Sequence, residues 1–281
     1  MTANTKPPPL GVVDRALRRD KSIVLFCVLL IILGASWYTV AGTGMNMSAI
    51  DMTHMAGPVG EPMQMGDEVN WTLPYTILIF LMWWVMMIAM MTPSAAPTVL
   101  LFTAIKRMGP DRTRTSRLSL YFLTGYLVAW AAFSVVATGT QWGFEHVGLS
   151  DGPMMTIDSK AFAGCVLVAA GLYQLSSLKS ACLRHCRSPA QFLADHNRPG
   201  AYGAFRTGAL HGAFCLGCCW ALMLLLFVGG IMNLYWIVGI AVYVALEKLM
   251  PRGAWLVPPL TGLALIVMGV WLVAASWVAA G

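Results

Sequence analysis

The sequence predicts an all-α fold, a polytopic membrane helical bundle of about seven transmembrane helices. Three observations carry this reading. Residues of the AVILMFWYC set make up 58% of the chain and charged residues only 11%, against roughly 45–50% and 25% in a soluble domain. The apolar residues come in runs close to the ~20 residues that a spanning helix needs. The charged residues are confined to the segments between those runs.

The runs fall at 22–42, 72–92, 118–139, 161–179, 209–230, 231–249 and 256–278. The first follows a basic tail, residues 1–21, and no small-residue cleavage pattern ends it, so it reads as a retained helix. The second keeps its apolar character past Pro93 and Pro97. The fifth and sixth are parted only by Gly229, Gly230 and the three residues after them, which implies a tight helical hairpin or a partly re-entrant pair. Pro258 and Pro259 suit a first helical turn, where a missing N–H costs little. The chain thus divides into a tail, 1–21, and a transmembrane domain, 22–279, with one long external loop at 43–71.

Charge sets the orientation. Of 18 Lys and Arg residues, all but Lys160 fall on one side when seven runs are threaded in turn. The positive-inside rule makes that side cytoplasmic, with the N-terminus in and the C-terminus periplasmic, in a bacterial inner membrane. The pI near 9.0 therefore reports topology. Nucleic acid is excluded as a partner, and the lipid bilayer is the first partner implied.

The polar chemistry lies in three places. In HGAFCLGCCW, His211, Cys215, Cys218 and Cys219 fall within an arc of about 100° on a helix. Thiolates and thioethers are soft ligands suited to Cu(I), with zinc and iron as alternatives. An intramembrane histidine is costly and usually functional. The competing reading is small-residue helix packing, because Gly208, Gly212 and Gly217 share the segment. In LKSACLRHCRSP, Cys182 and Cys186 lie one turn apart beside Lys179 and His185. A neighbouring cation favours the thiolate, whereas the plainer reading is a basic helix end with incidental cysteines. Both clusters fall on the cytoplasmic side, where stable disulfides are not expected.

The third place is rich in methionine. The external loop carries Met45, Met47, Met52, His54, Met55, Met63 and Met65. A thioether gains little in an exposed loop, so external capture of Cu(I) is one reading and a membrane-surface or partner-binding loop the other. Met82, Met86 and Met90 recur at i, i+4 and i+8 in the second run, with Met87 and Met91 beside them. They form either a lipid-facing stripe or core filler, or else a descending path of soft ligands. Gln174 and Asn233 read as interhelical hydrogen-bonding groups. Glu247 and Lys248 read as a local ion pair, or Glu247 as a group that reaches the thiols.

The segments MWWVMMIAMMTPSAAP, AGLYQLSSLKSACLRHCRSP and GALHGAFCLGCCWALMLLLFVGGIMNLYWI, followed by EKLMP, resemble a bacterial domain-of-unknown-function family of predicted metal-binding integral membrane proteins. The resemblance covers about 72–250 and leaves the methionine loop outside. It implies a multi-helical inner-membrane protein that binds a metal, with Cys182, Cys186, His211, Cys215, Cys218 and Cys219 at the matching motifs.

No Walker loop, His-Glu-x-x-His or aspartyl-phosphate motif is present, so nothing points to ATP hydrolysis. The leading expectation is a membrane protein that handles Cu(I), for transport or for delivery to a copper enzyme, with a metal ion and a periplasmic copper protein or copper enzyme as partners. The alternatives are a membrane thiol-disulfide/quinone oxidoreductase and a non-catalytic assembly subunit. A peptide spanning 45–65 is expected to bind Cu(I) more tightly than its Met-to-Leu counterpart in a chelator competition; equal affinities would leave the loop a surface or partner-binding element.

Overall fold

A computed structural model describes residues 12–42, 47–57, 59, 70–151, 156–157, 159–250 and 256–280. The elements run in chain order. Helix α1 (Val12–Val40) leads to the short α2 (Ala49–His54), then to α3 (Leu73–Met108). A 3-10 turn precedes α4 (Thr115–His146), and a two-residue antiparallel ladder, β1 (Ser150–Asp151) with β2 (Thr156–Ile157), leads to α5 (Lys160–Gln174). Then come α6 (Ser177–Arg187), α7 (Pro189–His196), α8 (Gly200–Met223), α9 (Leu225–Gly229), α10 (Leu234–Leu249) and α11 (Val257–Ala280). Among the described residues, five helices are long and apolar enough to cross a membrane, and α5 with α6 makes a sixth as a pair bent by 62°.

Three differences from the sequence reading bear on the site. Helix α3 does not stop at residue 92 but continues to Met108 through Pro93 and Pro97. Proline removes a ladder bond, and packed neighbours in a bundle re-satisfy the backbone it frees. Pro93 and Pro97 take a donor from the carbonyls of Ala89 and Pro93; between these, the Met91 carbonyl accepts additional donors, the Ser94 hydroxyl at 2.9 Å and the Tyr126 phenol at 3.1 Å. The run at 161–179 is broken at residues 175–176. The Ser176 hydroxyl accepts from the Lys179 N–H and restarts the chain as α6, a normal N-cap role for serine. Helix α10 has 16 residues, about 24 Å at 1.5 Å each, which is short of a ~30 Å hydrocarbon core.

Among the described residues, the chain nonetheless turns back between successive long helices. At one end of the bundle, Trp71 Nε1 donates to Glu145, 2.6 Å away, joining the start of α3 to the end of α4. At that same end the Leu234 N–H donates to Thr53 Oγ1 at 2.9 Å, joining α2 to the start of α10. Gly230, at φ +93°, turns the chain there between α9 and α10, a conformation that glycine adopts without strain. At the other end, Lys106 Nζ donates to the Arg198 carbonyl at 2.7 Å. The expected tight hairpin at 229–233 is thus present, with α10 returning from it. Asn233 caps α10, accepting from the Tyr235 N–H, and its Nδ2 donates to the Gly229 carbonyl at 3.0 Å, which links the end of α9 to the start of α10.

Glycine sets the closest crossings. A Cβ on Gly208 would run into the Phe122 carbonyl, and one on Gly125 into that of Phe205, so α4 and α8 touch backbone to backbone. Gly164 faces Gly269, and Gly171 faces Gly262, which locks α5 antiparallel to α11. Close approach through small residues is how helices associate without a hydrophobic drive between them. Trp83, Phe102, Phe122, Tyr126 and Trp130 fill the interior, while α1 and α11 turn Leu33, Trp37, Leu260 and Trp271 outward.

Helix α1 starts, and α11 ends, at opposite ends of the bundle. Topology reporters fused to the two termini are therefore expected in different compartments. Signals from the same side would mean that the short α10 does not complete its crossing.

Candidate metal centre

Helix α8 buries all four residues of its sulfur face: His211 at 3% exposure, Cys215 and Cys218 at 1%, Cys219 at 0%. Because these side chains fan over an arc, each meets a different neighbour. Cys218 Sγ lies 4.0 Å from Cys186 Sγ on α6. Cys219 Sγ lies 3.9 Å from Met91 Sδ on α3. Cys215 Sγ lies 2.9 Å from Lys248 Nζ on α10 and 3.2 Å from the Tyr126 hydroxyl on α4. Cys218 and Cys219 also donate back to the Cys215 carbonyl, at 3.0 and 2.9 Å. All seven cysteines are free.

Cys182 reaches the same region from α6. A Cβ on Gly217 would come within 2.8 Å of its sulfur, so Gly217 leaves the room that this thiol occupies. The Gly217 carbonyl in turn accepts from the Tyr173 hydroxyl, which ties α5 to α8 just before the break. His211 stands one turn below Cys215, walled by the rings of Phe122, Tyr126 and Phe192 at 6.0, 5.8 and 5.2 Å. Its Nδ1 is buried with no hydrogen-bond partner. A buried, unsatisfied ring nitrogen is uncommon, and a neutral imidazole nitrogen is a good metal donor.

Two sulfurs at ~2.3 Å from a shared ion stand about 3.8 Å apart at a tetrahedral angle and about 4.6 Å apart in line. The Cys186–Cys218 spacing of 4.0 Å lies between these limits. Among the described residues, no three His, Cys, Asp or Glu side chains converge on one point that could hold a metal ion. The sulfur nest is built of pairs, an arrangement suited to a soft ion of low coordination number more than to four-ligand zinc.

The methionines divide. Met82, Met86 and Met90 are buried, as are Met87 and Met91, so the stripe is core, and Met91 is the member that touches a thiol. In the loop, Met52 is buried, Met47 and Met55 are half-buried and His54 is exposed. Met45, Met63 and Met65 lie outside the described residues.

A family model described as a copper chaperone, PpoB2, matches residues 80–272. The chain belongs to this copper-chaperone family. No curated protein and no solved structure matches it. The match runs from α3 into α11, so it takes in Met91, Tyr126, all the clustered thiols, His211 and Lys248, and leaves α1 and α2 outside. Membership gives the chain a copper-handling role and agrees with the metal that the residue chemistry favours.

In this copper-chaperone family member the charges around the thiols are arranged in a way that the sequence did not disclose. Glu247 does not pair with Lys248 and does not reach a thiol. Its carboxylate pairs with Lys179 Nζ at 2.7 Å, with both side chains 1% exposed. Gln174 Nε2 donates to it at 3.2 Å, and the Tyr243 hydroxyl donates to it as well. Arg187 Nε donates to the Glu247 carbonyl at 2.7 Å. Lys179 is therefore engaged with a carboxylate and not with Cys182 or Cys186. Lys248 points the other way, to Cys215 and to Ser94 Oγ at 3.1 Å.

Removing one partner of a buried pair leaves an uncompensated charge, at a cost of about 3–5 kcal/mol. Glu247→Gln is expected to lower the melting temperature of the detergent-purified protein clearly. The apolar double variant Lys179→Met with Glu247→Leu should recover most of that loss. A single variant as stable as the parent would show that the pair holds nothing together.

Proposed function

We propose that the chain is a multi-pass Cu(I) chaperone of the bacterial inner membrane, with its N-terminus cytoplasmic and its C-terminus periplasmic. It receives Cu(I) on the side of the methionine-bearing loop, holds it between Cys186 and Cys218, and delivers it to a copper enzyme or a periplasmic copper protein. Cys219 with Met91, Cys182 and His211 are the adjoining donors. Cys215 belongs to the same nest, with Lys248 against its sulfur.

The observation that carries this reading is the Cys186–Cys218 pair, 4.0 Å apart between two helices and buried on both sides. Two thiolates suffice for Cu(I), and the surrounding apolar helices keep water from the ion. The copper-chaperone family supports the cargo. The orientation rests on the basic residues of the segments at 106–117 and 184–206, which gather at the bundle end where Lys106 meets Arg198.

Loss of a group that only hydrogen-bonds a ligand costs a metal site about 10–100-fold in affinity, so loss of a ligand should cost at least as much. Cys186→Ser and Cys218→Ser are each expected to weaken Cu(I) binding by at least roughly tenfold in a chelator competition, with normal protein yield. Cys27→Ser on α1 and Cys165→Ser, at an exposed position on α5, should leave it unchanged. Parent-like affinity in both nest variants, or a parent that binds no Cu(I), would overturn the reading. A parent that instead forms a Cys186–Cys218 disulfide reversibly with a quinone would favour the oxidoreductase.

A further inference from the structure

Cys219 does not share the partner of Cys218. The two residues are consecutive on α8, so their side chains diverge by about 100°. Cys218 turns to Cys186 on α6, whereas Cys219 turns to α3, where its Sγ lies 3.9 Å from Met91 Sδ. The Cys215 carbonyl accepts from both thiols, at 3.0 and 2.9 Å, and so anchors each in its own direction. Cys219 and Met91 are both at 0% exposure. Their spacing falls within the range of about 3.8–4.6 Å at which two sulfurs share one ion.

Met91 is also fixed at its backbone. Its carbonyl takes the Ser94 hydroxyl and the Tyr126 phenol, and Tyr126 reaches Cys215 Sγ at 3.2 Å as well. Methionine has three rotatable bonds and ordinarily adapts to the space around it. Here its main chain is tied through Tyr126 to the helix that bears the thiols. A donor whose support is itself hydrogen-bonded to the neighbouring donors is the arrangement that holds metal ligands in register.

From these contacts we infer that Cys219 and Met91 form a Cu(I) site of their own, separate from the Cys186–Cys218 pair, so that the nest takes two ions. The inference rests on the Cu(I) reading above and adds a second, weaker site to it. A thiolate attracts the ion by its charge as well as its softness, whereas a thioether offers softness alone. One thiolate with one thioether therefore holds Cu(I) less tightly than two thiolates do. Met91 is the last buried methionine of α3, counted from the end where the methionine-bearing loop lies. The weaker site thus faces α3 and the tighter one faces α6, and an ion that arrives along α3 meets the weaker first. Acceptance and retention fall to different sulfurs of the same helix.

Packing alone makes a different prediction. Leucine replaces a buried methionine at little cost, so Met91→Leu changes metal binding only if the sulfur is a ligand. The intact chain in detergent micelles is titrated with Cu(I), and with Ag(I) as a second monovalent probe, against chelators of graded affinity. Met91→Leu is expected to bind one equivalent fewer than the parent, the missing one being the more weakly held. Met87→Leu, which removes a core thioether one turn away, should keep the parent count. In selenomethionine-labelled protein, the copper-edge absorption spectrum should show a copper–selenium bond that Met91→Leu diminishes and Met87→Leu does not. Should Met91→Leu not accumulate, Cys219→Ser is titrated in its place and read in the same way. A parent count retained in Met91→Leu, an undiminished copper–selenium signal, or the same loss in Met87→Leu would overturn the second site while leaving the Cys186–Cys218 site standing. A parent that binds neither probe would sink the Cu(I) reading itself, so the two failures are distinguishable.

Discussion

The C-terminal end of α10 places two opposite charges side by side within an apolar bundle, and neither can remain unpaired. Consecutive residues on a helix point about 100° apart, so Glu247 and Lys248 cannot serve each other. Glu247 turns to Lys179 at the start of α6. Lys248 turns to Cys215 on α8 and Ser94 on α3. Through these two residues one short helix ties together the broken span, the sulfur-bearing helix and the proline-bearing helix. The break after α5 fits this demand. A straight continuation would carry Lys179 on along the span, whereas the 62° bend lets α6 lie across the end of α10 with both its lysine and its thiols turned inward.

The proline stretch of α3 answers a related need. Pro93 and Pro97 remove backbone bonds at the level where the polar groups gather. The Met91 carbonyl takes two side-chain donors there, from Ser94 and Tyr126. Those same two side chains then hold Lys248 and Cys215. One set of hydroxyls thus joins the proline stretch of α3 to the edge of the thiol nest, and the substitution of either reaches both.

Much of this was legible in the sequence and some of it was not. The helical class, the hairpin at 229–233 and the shared face of His211, Cys215, Cys218 and Cys219 followed from run length and from 3.6-residue periodicity, properties a single helix carries alone. The helix ends were harder. Pro93 closed the 72–92 run because proline breaks the local ladder, whereas the helix that continues to Met108 is held by other elements, among them Tyr126 of α4 on the Met91 carbonyl. The Ser176 cap was hidden because Leu175 and Leu178 keep the run apolar on both sides of it. Which thiol meets which partner depends on the crossing of four helices, and no spacing within α8 encodes it. The Glu247–Lys248 misreading was avoidable in part, because neighbours at i and i+1 do not face each other on a helix. That Lys248 would find a thiol required the third dimension.

The two thiols of the central pair sit on helices that pack on each other and are tied to different neighbours. Cys218 sits on α8, which meets α4 backbone to backbone at Gly125 and Gly208 and has no slack to shift there. Cys186 sits on α6, an 11-residue helix that lies on α8 itself: Gly217 leaves room for the Cys182 sulfur, and the His185 ring stacks on Phe214 with centroids 4.1 Å apart. Polar ties add to this packing, the Lys179–Glu247 pair at the start of α6 and Arg187 on the Glu247 carbonyl near its end. Both ties end on a single residue, Glu247, and its neighbour Lys248 meets Cys215. The spacing of the thiol pair and the placing of the nearest cation are therefore set by the same turn of α10.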